Sequence, residues 1–211
     1  MDFGELKTEV FRRLNESSSS PVYWTEADVE ESLNDGYQEL ADATEWYERH
    51  VTMDLLSHRT YYDMRYVAED TWLGPRRCFN NQTSRWLDPS NVNDFDSERV
   101  KWEDNGGEPQ RFFMRGSWWF GVWPQPDADS GTLRLYYSGT PPTLTADADT
   151  IEIPLEFQEG VIEYAVYDLL AQEAETAKAL SHWNAYKVFE TALKAWVGGR
   201  LSPDRVGGMK P

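Results

Sequence analysis

The stretch from Gly131 to Ala171 constrains this chain most, because it commits a strand and a buried helix to be near neighbours. Leu133, Leu135 and Tyr137 alternate with Thr132, Arg134 and Tyr136, the period of a strand with one buried face. Gly139, Pro141 and Pro142 stop that strand, since proline cannot donate to a ladder. An acidic loop, Thr145 to Thr150, leads to Ile151-Glu152-Ile153-Pro154. Proline suits a first helical turn, where its missing N–H costs nothing, so a helix is expected from about Pro154. Val161, Ile162, Ala165, Val166, Leu169 and Leu170 give that helix a wide apolar face and make it mostly buried. The β-rich middle of the chain and its helical ends meet at this junction.

The N-terminal part reads as two helices. Phe3, Leu6, Val10 and Leu14 recur at helical spacing within Asp2 to Asn15, and Arg12 and Arg13 suit its C-terminal end. Thr25 is an N-cap for a long second helix, Glu26 to Glu48, with one face traced by Val29, Leu33, Tyr37, Leu40, Thr44 and Tyr47. After His50 the period changes to two. Strands are expected at Val51 to Leu55, Tyr62 to Tyr66 and Trp72 to Phe79, the last broken early by Gly74-Pro75. Arg85-Trp86-Leu87 follows, and Ser90 caps a single helical turn reaching Phe95. Gln110 to Arg115 and Trp118 to Trp123 flank Gly116-Ser117. A two-residue turn there predicts a hairpin in which Met114 faces Trp119 and Phe113 faces Phe120. Beyond a break near Gln172-Glu173, a last helix is expected from Glu175 to Val197, ended by Gly198-Gly199.

Charge excludes several partners. The 211 residues carry 37 acidic and 20 basic side chains, a net charge of −17. A general nucleic-acid binder needs a basic footprint, and an anionic membrane surface would repel this chain. Two readings of the acidity stand: a surface kept soluble by self-repulsion, or adaptation to high salt, toward which the 14 Arg against 6 Lys lean. Aromatics make up 14% of the chain, enough to serve interfaces as well as a core. The single cysteine, Cys78, allows no internal disulfide. The charged opening, Met1 to Leu14, does not read as a signal peptide. No apolar run approaches the roughly 20 residues of a spanning helix.

Catalytic chemistry finds no foothold in the spacing. His50, His58 and His182 have no partner at metal-ligand spacing. Cys78 lies beside Arg76 and Arg77, which would lower a thiol pKa, though a buried thiol explains it better. Asp127-Ala128-Asp129-Ser130-Gly131 opens like a calcium loop but lacks the distant bidentate glutamate. Trp118, Trp119 and Trp123 read as sheet packing or as a stacking platform. No metal, no cofactor and no enzymatic activity are expected.

The order of parts resembles the head-to-tail adaptor (connector) proteins of tailed viruses. The resemblance is carried by Tyr23-Trp24-Thr25-Glu26, by Leu33-Asn34-Asp35-Gly36-Tyr37-Gln38-Glu39-Leu40, by Trp123-Pro124-Gln125-Pro126-Asp127, by Gly131 to Tyr137 and by Ile151-Glu152-Ile153-Pro154 before the closing helices. It covers nearly the whole chain. It implies an α+β fold: a four-helix bundle from residues 1–49 and 150–199, an inserted antiparallel β domain at 50–149, and an extended tail at 200–211. It implies a dodecameric ring under the portal, made in the host cytoplasm and housed in the virion neck. That ring would extend the DNA channel and join the capsid to the next neck or tail protein. Genomic DNA would pass through without specific binding, and no membrane is involved. The C-terminal end then becomes the portal-binding element. Trp196 and Val197 close an amphipathic helix, Gly198-Gly199 redirect the chain, and Leu201, Pro203, Val206 and Met209 punctuate a polar tail with Arg200, Arg205 and Lys210. Two other readings are a carbohydrate- or ligand-binding β module with helical flanks, and a hydrolase using scattered carboxylates.

Overall fold

The computed structural model describes residues 1–19, 21–68, 72–98, 101–129, 131–173 and 175–201. They form a mixed α/β fold of five α-helices and one seven-stranded sheet curled into a half-barrel. This corrects the expectation of a four-helix bundle interrupted by an antiparallel β domain. A further helix lies within the β stretch, and the sheet contains a parallel pair. Two compact units are present: residues 1–46 with the chain from Pro141 onward, and residues 47–140.

The helical unit holds α1 (Phe3–Arg13), α2 (Glu26–Thr44), α4 (Gln158–Gln172) and α5 (Thr176–Leu201). Asp2 and Glu5 close a capping box on α1, and Thr25 and Asp28 close another on α2, which satisfies otherwise orphaned N–H groups. The helices bury Phe3, Leu6, Leu33, Leu40, Val161, Ile162 and Leu193 in one core. Gly36 lets α2 and α4 approach, since a Cβ there would lie 2.9 Å from Tyr164 Cδ1. Lys7, its side chain only 8% exposed, is clasped by Glu26, Glu30 and Asp147. Burial disfavours its charge, yet the three carboxylates win and raise its pKa. Arg13 reaches from α1 to Glu159 and Glu163 of α4, and Glu163 Oε2 sits 2.6 Å from His182 Nδ1 of α5.

Two helix ends differ from expectation. α2 ends at Thr44, not Glu48, because Glu45 turns left-handed (φ 52°) and donates to the Ala41 carbonyl. The strand β1 (Glu48–Asp54) follows at once. α5 runs through Gly198-Gly199 to Leu201 rather than stopping at Val197. Neither glycine has a positive φ, so neither terminates the helix as a left-handed cap would.

The β unit has strand order β1-β7-β3-β4-β5-β6-β2, with β2 Tyr61–Asp63, β3 Trp72–Asn80, β4 Arg85–Pro89, β5 Arg111–Arg115, β6 Trp119–Trp123 and β7 Thr132–Gly139. The expected strand Tyr62 to Tyr66 shortens to β2, because Asp63 accepts from the Arg65 N–H and starts a 3-10 turn. β3 survives Gly74-Pro75 by bulging there, and β4 pairs only with Cys78 to Asn80. Pro75 therefore blocks no second neighbour. The helical turn expected at Ser90 is the two-turn helix α3 (Val92–Glu98). It lies in the crossover that lets β4 and β5 run parallel, a connection no tight turn can make.

The hairpin register also differs by one. Arg115 pairs with Trp119, Met114 with Phe120 and Phe113 with Gly121. The loop is thus three residues, with Gly116 at φ 65°. The Phe113 ring lies over the Gly121 backbone, where an added Cβ would come within 2.3 Å of the ring. From there Phe113 joins Phe95 and Trp102 in a small core against which Trp123 packs. The larger sheet core holds Leu133, Leu135, Tyr137, Cys78, Phe120 and Val122.

Candidate interaction surfaces

Charge separates sharply between the two units. Residues 1–46 and 141–211 hold 23 acidic and 9 basic residues, whereas residues 47–140 hold 14 and 11. The helical stretches therefore carry −14 of the net −17. Within them the helices differ again. α2 has seven acidic residues and no basic one, while α5 has Lys178, Lys187, Lys194 and Arg200 against Glu190 alone. Glu31, Asp35, Glu39 and Asp42 form an exposed ridge along α2 and make no ion pair among the described residues.

The outward side of α5 is uncharged. Leu180, Asn184, Val188, Thr191 and Ala195 are all exposed, and Leu180 and Val188 are 51% and 67% accessible. Lys187 and Lys194 run beside this face, both bonded to the carboxylate of Glu190. Burial works against the charge on Glu190, but the two lysines hold its pKa below the ordinary value.

On the sheet, the outward face of β1, β7, β3 and β4 carries aromatic rings beside arginines. His50, Tyr136 and Arg77 stand in one row across the strands, and Arg134, Phe79 and Trp86 in the next. The Arg77 guanidinium lies 4.4 Å from the Tyr136 ring centre and 5.3 Å from that of Trp86. It also pairs with Glu48 at 2.9 Å. Trp86 is 48% exposed. Alternation in β7 exposed Arg134 and Tyr136 in the sequence itself. Their neighbours on β3 and β4 depend on strand pairing that no local pattern specifies.

The residues singled out by sequence are dispersed. Trp196 packs edge-on against Phe157 at 5.9 Å within the helical core, so it serves folding. Arg200 and Leu201 close α5, and their side chains lie outside the described residues, as do Pro203, Arg205, Val206, Met209 and Lys210 entirely. His50 and His58 are exposed, and His182 pairs with Glu163. Burial pushes the Cys78 thiol up to about 12, the opposite of activation by Arg76 and Arg77. Asp129 Oδ1 accepts from the Ser57 N–H at 2.5 Å, a loop-closing bond. Asp149 accepts from the N–H groups of Ala146 and Thr145, which lower its pKa. Trp118 packs partly against the sheet core and Trp123 against the Phe95 cluster, while Trp119 is 42% exposed. Among the described residues no group of His, Cys, Asp and Glu converges as metal ligands. No described helix is long and apolar enough to cross a membrane.

What these surfaces offer is contact with other proteins: a charge-sorted helical unit and a sheet face of aromatic and arginine side chains. Aromatic and arginine side chains are enriched at protein–protein contacts. A family model described as SU10 adaptor protein matches residues 1–206, and the chain belongs to that family. The match agrees with the resemblance to phage head-to-tail adaptors carried by the motif order. A search of curated proteins returns no match.

Proposed function

We propose that this protein is the head-to-tail adaptor of a tailed-phage neck, forming a closed homo-oligomeric ring, twelvefold by family analogy, beneath the portal. The observation that carries the reading is the family match over residues 1–206. The ring extends the DNA channel and hands a binding surface to the next neck or tail protein. An acidic surface repels phosphate and lets DNA slide without being held, and the net charge of −17 fits that task. The outward sheet face, with Trp86, Tyr136 and Arg77, has the aromatic and arginine composition of interface hot spots. It is the surface offered to the downstream protein.

The end of α5 and the residues after it form the portal contact. Trp196 anchors that helix to the core one turn before its end. Leu201, Val206 and Met209 supply apolar contacts, and Arg200, Arg205 and Lys210 supply charge in a region where Asp204 is the only acidic residue after Glu190. The test deletes residues 202–211, which leaves α5 whole. The expected result is unchanged thermal unfolding with loss of binding to portal-bearing capsids. Normal binding would remove the tail from the portal contact.

A further inference from the structure

The helical unit carries two exposed helix faces of complementary character, an acidic ridge on α2 and an uncharged, lysine-flanked face on α5. The α2 ridge sets Glu31, Asp35 and Glu39 at successive i,i+4 positions, with Asp42 next. Like charges at that spacing destabilise an isolated helix. None of the four has a cationic partner among the described residues, so a partner of opposite charge would relieve the repulsion. The outward face of α5 has the reverse character. It is uncharged, exposes Leu180 and Val188, and is flanked by Lys187 and Lys194.

Spacing matches as well as sign. Lys187 and Lys194 are seven residues apart, as are Asp35 and Asp42, which is about 10 Å along each axis. Two helices packed side by side therefore bring both pairs together at once. Each lysine also bonds Glu190, whose side chain is only 9% exposed, and an ammonium has three donors, so each can keep Glu190 and still meet a carboxylate of a second copy.

We infer that the outward face of α5 docks the acidic ridge of α2 from a second copy of this chain. The contact joins different patches on the two copies, so it is heterologous and propagates around a ring. It rests on the ring reading above and supplies the surface that reading needs. Leu180 and Val188 leave water in the contact, and the lysine flank selects the acidic helix over a like-charged one.

The test mixes two variants of the full chain, Asp35→Cys and Val188→Cys. Cys78 is buried with its thiol pKa raised, so it does not compete. Under mild oxidation a disulfide between the two variants is expected, in excess of either self-pair. An exposed site on the hairpin, Trp119→Cys, mixed with Asp35→Cys serves as the control that stays uncrosslinked. Lys187→Glu with Lys194→Glu should lower the assembled fraction at least roughly tenfold, by placing like charges together. Asp35→Lys with Asp42→Lys in the other copies should restore it. A multimer that forms without the disulfide between positions 35 and 188 overturns this contact and leaves the ring reading intact. A chain that yields neither multimer nor disulfide, with the portal present, overturns both.

Discussion

At the scale of single residues, Gly121 and Glu9 show how local chemistry fixes the fold. The Phe113 ring occupies the space a side chain at position 121 would need, within 2.3 Å of an added Cβ. Gly121→Ala should therefore cost about 1–3 kcal/mol, the usual range for overpacking a tight core, read by urea unfolding. An equal midpoint for wild type and variant would mean the ring moves aside freely. Glu9 gives a pH signature. The hydrogen bond from Arg12, aided by Arg13 against a smaller opposing effect of burial, holds its carboxyl at about 2 instead of the ordinary 4.5. A lowered folded-state pKa favours the native state above the unfolded value and ceases to do so as pH falls through the folded one. Glu9→Gln should thus weaken the protein at pH 7, with the difference shrinking below about pH 4.5 and gone near pH 2. Urea titrations across that range check it; a constant difference would place the effect elsewhere.

At the scale of elements, the sequence speaks clearly where a local period governs and poorly where pairing does. The helices declared themselves by capping residues and apolar spacing, as with Thr25, Asp28 and the Val29 to Leu40 face. β7 declared itself by alternation. The hairpin register did not, because Gly116-Ser117 reads as a two-residue turn while the favourable seat of Phe113 over Gly121 selects a three-residue loop. The parallel β4–β5 pair was hidden for a similar reason, since a crossover through α3 leaves no turn signature. Of the candidate contact residues, those named at the C-terminus came from the resemblance to head-to-tail adaptors, and only Trp196 among them has a described side chain. The α2 ridge was present in the string of acids but gained meaning only when exposure was known. α5 supplies the test at this scale. Nothing lies within 4 Å of an added Cβ at Gly198 or Gly199, and both positions are helical. Replacing both with alanine should stabilise the last turns by up to about 1 kcal/mol each, seen as higher helicity on heating, and should preserve capsid binding. Lost binding would show that the chain must bend there.

At the scale of the whole molecule, the proposed assembly turns on charge sorted between surfaces of different copies. A net charge of −17 repels over about 30 Å in 0.01 M salt but over only about 10 Å in 0.1 M. Long-range repulsion therefore fades before close pairs do. Opposed helix faces then act at contact distance, where every charged residue of α2 is acidic and Lys187 and Lys194 flank the uncharged outward face of α5. The most direct measurement is sedimentation velocity of the full-length chain, alone and with the portal, from 0.01 M to about 0.15 M salt. A single closed multimer is expected, gaining population as the salt rises across that range and fully formed on the portal. A chain that stays monomeric at every salt and concentration, with the portal present, would contradict the account.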